Sequence, residues 1–341
     1  YKRQVFIYGG SILPGNLNGK TIQIQDVFEA VGKHQSGEIN DSELYQIESR
    51  ACPGPGSCGG MFTANTMSSV GEALGLSLPG SASEPAVDQR KSASSRLAGE
   101  AVLNLLRNDI KPSDILTKEA FENAVTVVTA MGGSTNTCLH LPAIAYEAGI
   151  DLTLEDIHDI SMRTPHLANM KPAGKYLMYD LDNVGGVPLV MKRLLDLGLI
   201  HGECMTVTGK TVRENLESIK DDGTENEVVR KIDNPISSTG GLVILHGNLA
   251  PDGAVLKVAG HNYGKKWSGP ANVFNQEEEC MEALKNKQIK PGDFVVIRYE
   301  GPKGGPGMRE MLSITSAIVG QGLGDKAVSY THLTLPTTKN V

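Results

Sequence analysis

Glycine constrains this chain more than any other residue. The sequence holds 39 glycines in 341 residues, about 11% against a usual ~7%. They carry no Gly-X-Y period, which excludes a collagen helix, and they are not pooled in one linker. They fall in short clusters: Gly54-Pro-Gly56, Gly59-Gly60, Gly132-Gly133, Gly185-Gly186, Gly240-Gly241 and Gly304-Gly305-Pro-Gly307. Such clusters mark places where the backbone takes positive φ or approaches a neighbour closely. Spread over one chain, they point to a site assembled from loops on a regular scaffold.

The scaffold reads as α/β. Apolar residues make up 40% and charged residues 21%, a globular balance that argues against wholesale disorder. Helical periodicity is predicted over 24–31, 43–50, 61–74, 93–106, 118–131, 135–148, 154–162, 188–197 and 212–219. In the helix at 93–106, Leu97, Ala101, Val102 and Leu105 are expected to face inward. Ser42, Ser134 and Thr153 are candidate caps, and Thr211 with Glu214 forms a capping box. Residues 5–8 read as a strand. Beyond about residue 225 the texture turns β-rich. Stretches 241–246 and 255–258 read as an antiparallel pair around Pro251-Asp-Gly253, and 293–298 as an apolar strand. The expected organisation is a helix-rich α/β N-terminal domain over 1–228 and a truncated β-rich, barrel-like C-terminal domain over 229–328. Residues 329–341 continue neither a helical nor a strand stripe and are expected to be a non-native tail.

Charge and cysteine usage narrow the function classes. A net charge of −7 gives no general attraction to nucleic acid or anionic membranes. No apolar run approaches the ~20 residues of a membrane helix, and no signal peptide is visible. Five widely spread cysteines argue for a reducing compartment rather than a disulfide framework.

Three motifs carry chemistry. In Ala51-Cys-Pro-Gly-Pro-Gly-Ser-Cys-Gly-Gly-Met61, Cys52 and Cys58 sit six residues apart in a glycine-proline loop before a helix. A helix N-terminus stabilises thiolates and anions, so the loop suits a metal or cluster ligand; two buried structural thiols is the alternative. Two cysteines cannot enclose an iron–sulfur cluster, which usually takes four ligands. The rest would come from Cys138, Cys204, Cys280, residues absent here or substrate. In Arg298-Tyr-Glu-Gly-Pro-Lys-Gly-Gly-Pro-Gly-Met-Arg-Glu-Met-Leu312, Glu310 either caps a helix or gives an oxygen to a hard cation such as Mg²⁺. In Met131-Gly-Gly-Ser-Thr-Asn-Thr137, Ser134 and Thr135 open a helix, as an ordinary cap or as a carboxylate cradle. The eight histidines form no metal pattern.

These strings, with Gly247-Asn-Leu-Ala-Pro-Asp-Gly253, resemble the dihydroxy-acid/6-phosphogluconate dehydratase family over residues 1 to about 328. The cysteine loop is closer to the branched-chain dihydroxy-acid branch than to the phosphogluconate branch. The resemblance implies a hydro-lyase that converts 2,3-dihydroxy-3-methyl acids to 2-oxo acids in valine and isoleucine synthesis. An iron–sulfur cluster (2Fe–2S rather than 4Fe–4S) would bind the leaving C3 hydroxyl. Mg²⁺ would hold the carboxylate and C2 hydroxyl, and a serine alkoxide would take the C2 proton. The implied cluster ligand falls on Cys58 and the implied Mg²⁺ ligand on Glu310. The family's other two cluster cysteines precede the part matched here, and its serine string follows the stretch resembling Gly322–Lys326. The chain is therefore expected to be an internal fragment, inactive alone and without a stoichiometric cluster. The resemblance further implies a small-molecule dihydroxy-acid substrate, a homodimeric whole enzyme and a cytoplasmic site, organellar in a eukaryote. The alternatives are a sugar-acid dehydratase of the same family, a non-catalytic iron–sulfur protein, and a binding-only module with structural cysteines.

Overall fold

The computed structural model describes residues 2–221, 223, 226–258, 268–300, 311–324 and 328–331, the last four as backbone. The elements begin with β1 (Gly15–Leu17), β2 (Lys20–Ile22), α1 (Ile24–Ser36), α2 (Asp41–Ala51), α3 (Thr63–Ala73), α4 (Arg90–Arg107), α5 (Pro112–Ile115) and α6 (Lys118–Ala130). Then follow α7 (Thr137–Ala148), α8 (Leu154–Arg163), α9 (Met178–Asn183), α10 (Gly186–Asp196), α11 (Val212–Leu216), β3 (Leu242–Leu245) and β4 (Ala254–Lys257). Last are β5 (Ala271–Phe274), α12 (Glu277–Lys285), β6 (Phe294–Ile297), α13 (Leu312–Gly320) and β7 (Val328–Thr331). The chain is a helix-rich mixed α/β protein with small sheets, and no closed barrel occurs among the described residues. It divides into two compact units. One comprises Tyr1–Leu13, Gly54–Ile244 and Val255–Asn262; the other comprises Pro14–Pro53, Leu245–Ala254 and Tyr263–Val341.

The first unit is built round α6. Its residues from Ala120 to Ala130, apart from Glu122, are buried, because α3, α7, α8 and α10 pack around it. A helix enclosed this way must satisfy its polar side chains internally. Asn123 does so with the backbone of His201, donating to its carbonyl (3.0 Å) and accepting from its N–H (2.7 Å). Thr126 and Thr129 donate back to Glu122 O (2.8 Å) and Val125 O (2.9 Å).

Thr153 and Thr211 close the capping boxes of α8 and α11, as their sequences predict. Elsewhere the boundaries and faces differ. In α4 the inward residues are Ser94, Ala98 and Leu105, while Leu97 is 46% exposed. The stripe runs i, i+4 and i+11, and its first two residues, Ser94 and Ala98, are small, so the larger Leu97 obscures it in the sequence. α2 is capped by Asn40 and not by Ser42. Residues 5–8 form no strand; Phe6 N–H donates to Leu76 O at 2.8 Å and ties that stretch to the exit of α3. β3 and β4 do pair, with Val258 N–H donating to Gly241 O at 2.8 Å.

The second unit joins distant parts of the sequence. β1 and β2 form an antiparallel hairpin turning through Asn18 and Gly19, both at positive φ as a two-residue turn requires. α1 crosses α13 where Gly32 meets Ala317 and Gly320. A Cβ on Gly32 would lie 2.6 Å from Ala317 O, and one on Gly320 would lie 2.3 Å from Glu29 O. Only glycines let the two backbones approach so closely. β5, β6 and β7 form a parallel sheet, with α12 and α13 as its crossovers. Cys280, Leu284, Val295, Ile297, Ile314 and Ala317 are central to the core of this unit. The backbone of 328–331 lies in β7, although its sequence shows no strand stripe; residues 332–341 lie outside the described residues.

Candidate active site

The cysteine loop enters the first unit at Gly54. It lies along the chain at 10–12 as a short bridge: Ser57 N–H donates to Gly10 O (2.9 Å), and Ile12 N–H donates to Ser57 O (2.8 Å). Gly56 takes φ +137°, and a Cβ there would fall 2.4 Å from Ile12 N. This cluster thus answers both glycine requirements at once, positive φ and close approach. Beyond Cys58, Met178 N–H donates to Gly59 O and Met61 N–H to Lys171 O, each at 2.7 Å.

The loop is tied to α3 by Asn65, which is 2% exposed. Its Nδ2 donates to the carbonyls of Cys58 and Gly60, the latter at 2.7 Å. Its Oδ1 lies 3.0 Å from Ser57 Oγ, which donates to it. Beside these residues is a cavity of about 350 Å³, bounded by Tyr8, Gly10, Gly56, Ser57, Asn65 and Ser68 among others. Burial pushes the Tyr8 phenol above its usual pKa.

The Gly-Gly-Ser-Thr-Asn motif meets the same end of α3. Ser134 N–H donates to Thr66 Oγ1 (3.0 Å), Asn136 Nδ2 donates to Thr63 Oγ1 (2.5 Å), and Thr63 Oγ1 lies 3.3 Å from Ser134 Oγ. The start of α3 therefore binds two motifs that stand about 75 residues apart in sequence: Asn65 holds the cysteine loop, and Thr63 and Thr66 hold Ser134 and Asn136. Ser134 does not cap α7 in the usual way. The N-cap position is Asn136, and Ser134 Oγ instead accepts from Asn136 N–H at 3.2 Å. Asn136 Oδ1 and Thr137 Oγ1 are buried without a hydrogen-bond partner among the described residues. Native structures seldom leave such atoms bare, so they mark a place that suits a polar guest.

Cys58 is half-buried; Cys52 is exposed as a residue, and partial burial of its sulfur pushes the thiol pKa up. Burial pushes Cys138 to about 12, Cys204 to about 11 and Cys280 to about 12, so these three hold their protons. Among the described residues no group of three or more His, Cys, Asp or Glu side chains could hold a metal ion. Cys58 fits one ligand position of a metal group, and the described residues do not complete the set. Glu310, with the whole 301–310 loop, lies outside the described residues. His140 is exposed. His158 Nδ1 accepts from Ile244 N–H at 3.2 Å. Burial holds His166 at about 4, hence neutral, with Nε2 unpartnered among the described residues.

Asn65 and the pairing of α3 with α7 are not apparent from the motifs singly. Their signal is a run of small polar residues, Thr63, Asn65, Thr66, Ser68 and Ser69, on a helix otherwise read as apolar.

Fold and site define a helix-rich α/β scaffold carrying a cysteine-glycine loop against a polar helix entry. The chain belongs to the dihydroxy-acid/6-phosphogluconate dehydratase family: the family's N-terminal domain matches residues 2–215 and its C-terminal domain residues 227–332. Relatives named dihydroxy-acid dehydratase include one from Sulfurisphaera tokodaii, 57% identical over 328 residues, which is 96% of this chain and 58% of that protein. Dihydroxy-acid dehydratase 2 of Staphylococcus saprophyticus is 58% identical over 329 residues, 96% of this chain and 58% of that protein. The Nocardioides enzyme of the same name is 56% identical over 320 residues, 94% and 56% of the two chains. This chain thus spans rather more than half the length of these relatives.

Proposed function

We propose that the chain is part of a hydro-lyase that dehydrates 2,3-dihydroxy-3-methyl carboxylic acids to 2-oxo acids, in valine and isoleucine biosynthesis. The observation that carries this reading is the junction at the start of α3, where Asn65 holds the cysteine loop and Thr63 and Thr66 hold the Gly-Gly-Ser-Thr-Asn motif. In a member of this dehydratase family, that junction brings a ligand-bearing loop to a polar, partly unsatisfied helix entry.

Cys58 would give one thiolate to an iron–sulfur cluster, of the 2Fe–2S kind, and Glu310 would give one oxygen to Mg²⁺. Bound there, these groups would supply Lewis-acid chemistry, making a hydroxyl a better leaving group and the adjacent C–H more acidic. This chain's own residues bind and orient. The first-turn N–H groups of α7 already donate to the carbonyls of Ser134, Thr135 and Asn136, so the side chains of Ser134 and Thr135 are what suit a carboxylate, and the bare Asn136 Oδ1 accepts from a substrate hydroxyl. The cavity beside Tyr8 takes the small alkyl end. No described helix is long and apolar enough to cross a membrane. The proposed setting is a cytoplasmic homodimer, organellar in a eukaryote. Its N-terminal domain spans 1–228, and its β-rich C-terminal domain at 229–328 is part of a barrel-like fold.

The test is metal content. The described residues supply one thiolate at the site, so the 341-residue chain is expected to hold less than one cluster after anaerobic reconstitution. A full complement of iron and sulfide per chain would refute that expectation. In the longer parent protein, Cys58→Ser should lose iron and Cys204→Ser should keep it, since Cys204 keeps its proton. Turnover of 2,3-dihydroxy-3-methylbutanoate by the parent, in preference to a sugar acid, separates the proposed substrate class from its sister branch.

A further inference from the structure

We infer that Asn65 is the positioning residue of the Cys58 loop, holding the thiol-bearing residue in register with α3; this rests on the reading of Cys58 as a ligand. The peptide before Cys58 is fixed by backbone pairing, since Ser57 O accepts from Ile12 N–H at 2.8 Å. The peptide after it is fixed by Asn65, whose Nδ2 donates to Cys58 O. The same Nδ2 donates its second proton to Gly60 O at 2.7 Å, and Oδ1 receives Ser57 Oγ at 3.0 Å. Both amide protons and the amide oxygen of Asn65 are therefore directed at residues 57–60.

Two considerations make this more than a buried polar residue being satisfied. The two residues after Cys58 are Gly59 and Gly60, which leave the backbone the widest choice of φ and ψ. Met178 N–H holds the carbonyl between them, Gly59 O, at 2.7 Å, and the carbonyls on either side, Cys58 O and Gly60 O, are the ones Asn65 holds. Asn65 is placed to do so because it sits in the first turn of α3, a helix packed on α6. Only an amide offers two donors and an acceptor at that reach. Aspartate has the same shape but no donors, and its carboxylate would face two carbonyl oxygens.

The five cysteines supply an internal readout in the 341-residue chain, with no metal needed. Alkylation by iodoacetamide is followed at each thiol by mass spectrometry, with exposed Cys52 as the reference and buried Cys138 and Cys280 as reporters of intact packing. In Asn65→Asp, Cys58 should react about tenfold faster relative to Cys52, while Cys138 and Cys280 stay as protected as in the parent. A Cys58 rate unchanged with Cys138 and Cys280 protected overturns the assignment. If Asn65→Asp also opens Cys138 or Cys280, Ser57→Ala decides. It removes the Oδ1 partner, together with the longer bond from Ser57 Oγ to Gly10 O (3.3 Å), and leaves the backbone bridge at 57 in place; a selective rise of about threefold at Cys58 upholds the clamp and no rise overturns it. Iron retained by Cys58→Ser in the parent protein would sink the ligand reading and leave the alkylation result standing, so the two failures are distinct.

Discussion

Glu72 offers a sharp test of the electrostatics of the first unit. It lies in α3 at 4% exposure, and the N–H groups of Gly80 (2.7 Å) and Ala82 (3.1 Å) donate to its carboxylate. These donors and Lys91 favour the charged form; burial and Glu84 oppose it. Burial dominates, and the pKa is pushed up from 4.5 to about 7. The folded state then binds more protons than the unfolded chain between those two values. Stability from this group is full below about pH 4.5 and falls as pH rises through about 7. At about 1.4 kcal/mol per pKa unit the whole effect is about 3 kcal/mol, most of it lost between about pH 5 and 8. Glu72→Gln keeps the shape and cannot ionise. The measurement is urea unfolding of both proteins across that pH range, followed by far-ultraviolet circular dichroism. The parent should lose about 2–3 kcal/mol relative to Glu72→Gln on going from about pH 5 to 8. A constant gap would refute the reasoning. A parent that gains on the variant with rising pH would show that the two backbone donors outweigh burial.

Three further substitutions probe packing, backbone strain and a buried ion pair. Gly32→Ala should cost about 1–3 kcal/mol in thermal or chemical unfolding, because its Cβ meets the Ala317 carbonyl and neither backbone can yield cheaply. Gly37→Ala, outside that contact but at φ +82°, probes backbone strain at the end of the same helix and should cost about 1 kcal/mol. Asp221→Asn tests the buried Arg193, which donates to both Asp221 oxygens (2.8 and 3.0 Å) and to Val229 O (2.7 Å). Arg193 holds the Asp221 carboxyl below its usual pKa, so the pair stabilises above the ordinary carboxylate range and weakens as pH falls. The variant should be about 2–4 kcal/mol less stable at neutral pH, with the gap narrowing in acid. Equal urea midpoints at neutral pH would show that the ion pair contributes nothing.

What the sequence determined by itself is local. Thr153 and Thr211 specify helix starts because a capping box needs only residues three apart. The helix at 118–131 is legible because its apolar run exceeds any strand. The irregular cysteine and glycine strings carry the family, since those residues answer to chemistry and to close approach, not to periodicity. Other features belong to the tertiary structure alone. The inward face of α4 depends on which side another element covers, and Leu97 therefore misleads. The parallel strands β5 to β7 acquire their helices as crossovers only when distant segments pair. Asn65 reads in sequence as an ordinary polar helix residue, and Glu72 as an ordinary solvated carboxylate. Packing removes water from both. That desolvation turns one into the clamp of the cysteine loop and lifts the pKa of the other, because an amide or carboxylate without water must answer to whatever neighbours the fold provides.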